Sequence, residues 1–550
     1  VGHLYWYTLT VLLIFLFITS YLGYLGYTRT KNAKDFLVAG RETHPLVMAL
    51  SYGATFISTS AIVGFGGVSA KLGMGVLWLT FLTIFVGIFI AFVFFGKRTR
   101  RMGHTLDAHT FPELLGKRFD SKAIQGFSAL VIFFFMPIYA AAVIKGGANF
   151  IETYFSIPYG VSLFFFVAVV AIYVWMGGMK GVMYTDAFQG VIMFVSMAAL
   201  LVFAYWNLGG VTEAHLKLTE LFSKPDVQEV VAPLVQGGFN GWTSMPTFGS
   251  PIWWTLVSTI VMGVGVGVLT QPQLTVRFMT VRSDKELHRA VLSGGIFILF
   301  MTGVAFIVGA LANALFYEST GKIAIVASEG ITDKIIPMFI KTYMPPWFSA
   351  IFLISMLAAA MSTLSSMFHT MGSAAGRDLY EEVLNKKGNS VFITRGGVLV
   401  VILMSSTIAW MTSLPQFVDV GDAIIAKGTA LFFALTAAAF LPAFVGALFM
   451  PKMPKAAALW GMVAGFSASF FWNFFVHANA ASLQLCMLLT GKVSLVEGTA
   501  SAKWMMVDSL FVALPASILV TAIVWGLMRG RGAFDLDQAH VAKCFEGIKG

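Results

Sequence analysis

The chain is poor in charge and in cysteine. Of its 550 residues only 11% are Asp, Glu, Lys or Arg, and only two, Cys486 and Cys544, are cysteine. A soluble protein carries about a quarter charged residues. Charge this sparse cannot cover a watery surface over such a length, which excludes most soluble enzymes, nucleic-acid binders and disordered scaffolds. Two thiols exclude a disulfide framework and a cysteine metal site. No Gly-rich phosphate loop of the Walker type occurs, which argues against an ATP-driven pump. The nine histidines are scattered. No paired histidines or acid–base cluster suggests a membrane enzyme.

What the chain has is apolar length: 58% of it is hydrophobic, with a mean hydropathy of +0.82. A hydrocarbon core of ~30 Å needs about 20 helical residues to cross. Thirteen runs of that kind lie near 5–26, 46–70, 74–96, 124–154, 158–178, 182–207, 251–272, 290–317, 346–373, 394–412, 416–450, 456–478 and 504–528. The expected fold class is therefore an all-α polytopic membrane protein. The first run has no basic segment before it and is expected to stay as a helix rather than be cleaved.

Thirteen spans alternate the connecting loops between two faces. One face takes the loops near 27–45, 97–123, 179–181, 273–289, 374–393 with Arg395, 451–455 and the tail after 528. It holds 26 of the 36 Lys and Arg, including every arginine. Basic loops stay in the cytoplasm, so the plasma (inner) membrane is the expected location, with the N-terminus outside and the C-terminus inside. The net charge of +10 then reads as an orientation, not as a nucleic-acid partner. The two cysteines fall on opposite faces.

Interrupted helices distinguish among membrane proteins. Secondary transporters carry discontinuous helices at matching positions of two repeats, beside a site near the midplane. The second span, Ser51 to Gly67, crowds Ser51, Thr55, Ser58, Thr59 and Ser60 among glycines. In the seventh, Gly263, Gly265, Gly267 and Pro272 are expected to weaken the helix. These spans are five apart, so they run in opposite directions and imply an inverted repeat. Small residues that merely allow close helix packing are the plainer reading of any one glycine.

Unwound backbone at membrane depth must find partners or line a wet cavity. Its carbonyl oxygens, like hydroxyls, suit a hard cation such as Na+. The ninth span has the second hydroxyl cluster: Ser362, Thr363, Ser365 and Ser366. Residues 362, 365 and 366 share one helical face. Asp186 opens the sixth span, and an acid there is a functional hypothesis by default, or else a helix cap. Asp419, Asp422 and Lys427 are weaker candidates in a loop. Lys145 in the fourth span is either a lysine reaching for the interface or a counter-ion for an anionic solute. His369 is expected to be a packed imidazole.

Three stretches carry a family resemblance: DFLVAGR from Asp35 to Arg41, GGMKGVMYTDAFQG from Gly177 to Gly190, and AAAMSTLSS of the ninth span together with QPQLTVRFMT from Gln271 to Thr280. The chain resembles the sodium:solute symporter family through almost its whole length, and its proline/pantothenate-type branch most. The resemblance implies a leucine-transporter-like (LeuT-like) core of five plus five inverted helices. Residues 1–45 would be an extra helix and loop, 46–207 the first repeat, 208–250 an outer loop, 251–450 the second repeat, and 451–550 two further helices and a tail.

The resemblance also implies ligands. The main Na+ site would use Ala54, Ile57, Ala359, Ser362 and Thr363. A second Na+ would use Asp186, Ser362, Ser365 and Ser366, for two Na+ per solute. Tyr139 matches a substrate-side tyrosine of proline carriers. Ser60, Val264 and Val268 stand where that branch has aromatic residues. A pocket of Ser58, Ser60, Tyr139, Val264 and Val268, with Lys145 facing it, suits a small carboxylate-bearing organic solute. The expected activity is Na+-coupled uptake by alternating access. The rivals are a proton-coupled carrier of the same fold and a transporter-like solute sensor, although only about twenty residues follow the last span.

Overall fold

The computed structural model describes residues 2–176, 178–386, 390–414, 423–478, 485–530 and 537–548. Asp419 and Asp422 lie outside them. Among the described residues all regular structure is helical. Among the described residues eleven helices are long and apolar enough to cross a membrane, and a bent pair makes a twelfth crossing. A further helix, Tyr159–Met176, is apolar but shorter.

The order begins with α1 (Gly2–Thr28). The bent pair follows, α2 (Pro45–Phe56) and α3 (Ser60–Leu72), 50° apart. Next come α4 (Met74–Thr105), the short α5 (Phe111–Arg118), α6 (Lys122–Phe155), α7 (Tyr159–Met176) and α8 (Met179–Asn207). The second series opens with α9 (Pro251–Thr270) and α10 (Pro272–Phe278). It continues with α11 (Asp284–Thr320), α12 (Pro346–Val383), α13 (Phe392–Met411) and α14 (Ile424–Phe449). Then α15 (Lys455–Val476) and α16 (Leu510–Gly530) follow. Two five-span series, each opening on a broken helix, form the LeuT-like core.

Burial separates core from periphery. In the most apolar stretch of α12, 94% of residues are buried by protein; in α1 only 17% are. The axis of the molecule is thus the hydroxyl-bearing helix. The outlying α1 shows Trp6, Phe17, Tyr21 and Tyr24 outward, the aromatic and apolar surface that a bilayer accepts.

The loops sort as the charge pattern implies. All seven segments assigned to the basic face touch within one network. Arg41 donates to the Gly103 and Ala108 carbonyls and pairs with Asp107. Lys180 pairs with Asp35, and the Thr43 amide donates to the Thr280 carbonyl. Arg100 and Arg101 clamp Asp284, and Arg377 pairs with Glu113. Arg118 donates to the Pro451 carbonyl, and the His540 ring meets the Lys117 carbonyl. Burial raises the Glu113 carboxyl, but His109, Arg377 and Lys117 outweigh it and hold it well below the usual carboxylate range. On the opposite face Lys217 pairs with Glu318, Tyr317 donates to Asp226, and Lys341 donates to Ser156.

Candidate functional site

The first break has a side-chain cause. Ile57 leaves the helix in an extended conformation (φ −83°, ψ 91°). The Ser58 hydroxyl accepts from the Ser60 amide at 3.1 Å. Hydroxyls that bond nearby backbone offer it an alternative to the helix. The Ser58 amide donates to the Phe56 carbonyl, not to Ala54 four residues back. The Ala54 and Thr55 carbonyls are thereby freed, and α12 meets them. Ser362 Oγ donates to the Ala54 carbonyl at 2.8 Å and approaches the Ala359 carbonyl at 3.1 Å. Thr363 Oγ1 donates to the Thr55 carbonyl at 2.9 Å. All of these residues are fully buried. The result is a dry junction of carbonyl and hydroxyl oxygens, an all-oxygen donor set that suits a hard cation. Ala54, Ala359, Ser362 and Thr363 come together there, with Ile57 at the break itself.

One turn further along α12 the second expected cluster has a different content. Asp186 on α8 and Ser366 on α12 do meet, but around Arg277 of α10. Arg277 Nη2 lies 2.8 Å from Asp186 Oδ2, 2.6 Å from Thr55 Oγ1 and 2.6 Å from Ser366 Oγ. Its Nε donates to Ser51 Oγ at 3.0 Å, and Ser51 donates in turn to Asp186 Oδ2 at 2.9 Å. Both charged side chains are wholly buried. Asp186 Oδ1 has no hydrogen-bond partner. Ser365 stays apart and donates back to the Ser362 carbonyl. The charge pattern of the sequence groups Arg277 with the loop charges. Its one signal was an arginine inside the apolar stretch Leu274-Thr-Val-Arg-Phe-Met279.

The second break also differs from expectation. The helix runs unbroken through Gly263, Gly265 and Gly267 and ends at Gln271 (φ −73°, ψ 112°). Proline disfavours helical backbone in the residue before it, and Pro272 then opens α10. The glycines serve packing: a Cβ on Gly267 would sit 2.6 Å from Phe433, and one on Gly265 would collide with Leu82.

Between the two series lies a small space of about 20 Å³, lined by Phe56, Ser58, Phe65, Tyr139, Val264 and Phe433, among others. Thr83, Thr302 and Thr429 add hydroxyls to its wall. Of the expected solute residues, Ser58, Tyr139 and Val264 line it. Ser60, Val268 and Lys145 do not. Ser60 Oγ is buried without a partner, and Val268 packs toward Gly87. Lys145 Nζ donates to the Thr412 carbonyl at 2.9 Å and stands over the Tyr159 ring, so it ties α6 to the end of α13. His369 bonds the Phe36 carbonyl and packs on the Phe36 ring, a structural imidazole.

Inverted five-helix series, two broken helices and buried oxygen clusters between them define a cation-coupled secondary transporter, not an enzyme. The comparisons with known proteins agree. The model of the sodium:solute symporter family matches residues 36–465. The chain is 29% identical over 391 residues to the sodium/pantothenate symporter of Haemophilus influenzae, covering 70% of this chain and 75% of that one. It is 27% identical over 457 residues to the osmoregulated proline transporter OpuE of Bacillus subtilis, covering 82% and 85%. Among solved structures, a Na+-coupled sialic acid symporter superposes with a TM-score of 0.71 at 17% identity, over 95% of this chain and 97% of that chain. The chain belongs to the sodium:solute symporter family. It is a Na+-coupled symporter of a small organic solute.

Proposed function

We propose that the coupling Na+ binds at the junction of the first break with α12, through Ala54, Ile57, Ala359, Ser362 and Thr363. The observation that carries this is the pair of freed carbonyls, Ala54 and Thr55, met by the Ser362 and Thr363 hydroxyls. A cation there ties the broken helix to the axial helix α12. Ser58 and Tyr139 stand on the solute side of the same break, so ordering it by Na+ prepares the solute wall.

The solute is a small carboxylate-bearing molecule with an apolar body. The wall is mainly phenylalanine, valine and hydroxyls, and the related carriers are named for pantothenate and proline. Ligand pockets for organic molecules usually run to ~300 Å³ or more. Entry of a solute therefore moves the Phe56, Phe65 and Phe433 walls, and that movement is the coupling step. The face bearing the arginines is cytoplasmic by the positive-inside rule, which puts the N-terminus outside and the C-terminus inside the plasma membrane. An inward Na+ then gains ~2.3 kcal/mol per 100 mV from the membrane potential.

A thermal-shift screen of purified protein against small carboxylates and amino acids, in Na+ and in choline, tests this. Selective ligands raise folded-state stability by mass action. The expected result is a hit that appears only in Na+ and disappears in Ser362→Ala. A hit of equal size in choline would overturn the coupling at this site.

A further inference from the structure

The last described segment of the chain, 537–548, lies beyond residue 465, where the match to the family ends. It forms α17 (Gln538–Cys544), capped by Asp537, whose side chain accepts from the Ala539 amide. Val541, Cys544 and Phe545 turn inward, and Ala542, Lys543 and Glu546 are exposed. The inward residues have the spacing of one helical face. That face is seated on the arginine-bearing side of the protein, with Cys544 fully buried. The His540 ring meets the Lys117 carbonyl at 2.7 Å, and the Phe545 ring centre lies 4.9 Å from the Arg118 guanidinium. Arg101 donates to the Gly547 carbonyl.

Both arginines that the segment touches join one helix series to the other. Arg101 pairs with Asp284, which ties α4 of the first series to α11 of the second. Arg118 donates to the carbonyls of Ala447, Met450 and Pro451, which ties α5 to the end of α14. A face that opens by rocking one series against the other must break these ties. The segment itself is held by one short helical face, the kind of element that opens locally with little free energy. We propose that residues 537–548 form an autoinhibitory strap. Seated, the strap holds the arginine-bearing face shut by fixing Arg101 and Arg118 in their cross-series ties, and opening of that face requires its release. The strap stands on these contacts; the sign of its Na+ response rests also on the Na+ site proposed above. Na+ joins the first break to α12 in this same conformation, so it favours the shut face and the seated strap. Coupling between two sites is reciprocal, so a loosened strap weakens Na+ binding.

Cys544 reports on the strap directly. With Cys486→Ser it is the one thiol of the full chain, and its labelling by N-ethylmaleimide requires release. Labelling is expected to be slow in Na+ and about fivefold or more faster in choline, a coupling of the usual size. The double variant His540→Ala with Phe545→Ala should label fast in both salts and need more Na+ for its thermal shift. Amide hydrogen exchange, compared in choline between the wild-type protein and the double variant, reads the strap without Na+. The start of α11 and the end of α14, which the strap reaches through Arg101 and Arg118, should exchange faster, while the outer helix Val211–Leu221 should not change. Faster exchange confined to α17 would overturn the proposal. So would equal labelling of Cys544 in both salts in a protein whose melting responds to Na+. A Na+ effect on labelling that survives Ser362→Ala keeps the strap and overturns that Na+ site. If neither labelling nor melting responds to Na+, the Na+ reading fails and the exchange comparison decides the strap.

Discussion

Two oxygen clusters lie one helical turn apart on α12, and they differ in what completes them. At Ser362 and Thr363 the partners are neutral carbonyls released by a broken helix. At Ser366 the partners are a carboxylate and a guanidinium delivered from two other helices. Hydroxyl composition is nearly the same in both. The difference comes from the far side of the interface. A carbonyl cluster carries no charge of its own, and its hydroxyls satisfy it without a counter-ion. A carboxylate in the same apolar setting needs a permanent partner, because an uncompensated buried charge costs several kcal/mol. One helix thus meets neutral carbonyls at one turn and a fixed ion pair at the next.

The sharpest way to break this contrast is to remove the resident charge. Arg277→Ala or Arg277→Gln strands Asp186, and removing one partner of a buried pair costs about 3–5 kcal/mol. Asp186→Asn alone strands Arg277 to a similar degree. The double neutral variant should lose much less than the sum, and thermal unfolding of the four proteins in one detergent reads the coupling. Additive losses would show that the two side chains do not depend on each other. Ser362→Ala should have a smaller effect on stability, about 1–3 kcal/mol, from an Ala54 carbonyl left unsatisfied. Its Na+ affinity should nevertheless fall at least tenfold, about the effect of 1.4 kcal/mol. The two clusters should therefore separate by readout: Arg277→Gln in stability, Ser362→Ala in Na+ affinity.

Much of this fold is legible in the sequence because the bilayer imposes a length. Runs of about 20 apolar residues mark the spans, and the arginines mark one face, whose seven segments do bond to one another. The hydroxyl clusters and Asp186 are legible too, since polar groups stand out against an apolar helix. Arg277 is not, because its significance depends on a long side chain reaching three other helices. The solute walls are hidden for the opposite reason. Fifty-two phenylalanines give Phe56, Phe65 and Phe433 no contrast with the rest. Glycine misleads as well, since it serves both unwinding and close contact. In α9 it is contact that Gly265 and Gly267 provide, and Pro272 makes the break.

That distinction sharpens the comparison between the two broken helices. Gly267→Ala would push a methyl group into Phe433, whose Cβ stands 2.6 Å from the ideal position. Overpacking of this kind costs about 1–3 kcal/mol, and the stability loss should come with unchanged Na+ affinity. A glycine that acted as a hinge would do the reverse, with near-native stability and altered transport. Melting temperature and Na+ binding, measured on the same preparation, tell the two apart.

The smallest effect is expected at Lys145, and it bears on whether charge outside the two clusters enters the coupling. Lys145 donates to the Thr412 carbonyl at 2.9 Å and stands over Tyr159, away from both clusters and from the cavity wall. Hydrogen bonds to charged groups contribute about 1.5–3 kcal/mol, but Gln retains a donor within reach of the same carbonyl. Lys145→Gln should therefore cost no more than about 1 kcal/mol of stability, leave Na+ affinity unchanged and change solute affinity less than threefold. Lys145→Ala should lose more stability than Lys145→Gln, since it abandons the Thr412 carbonyl. A large, Na+-independent loss of solute affinity in Lys145→Gln would return this residue to the solute site and add a third charge to the account of coupling.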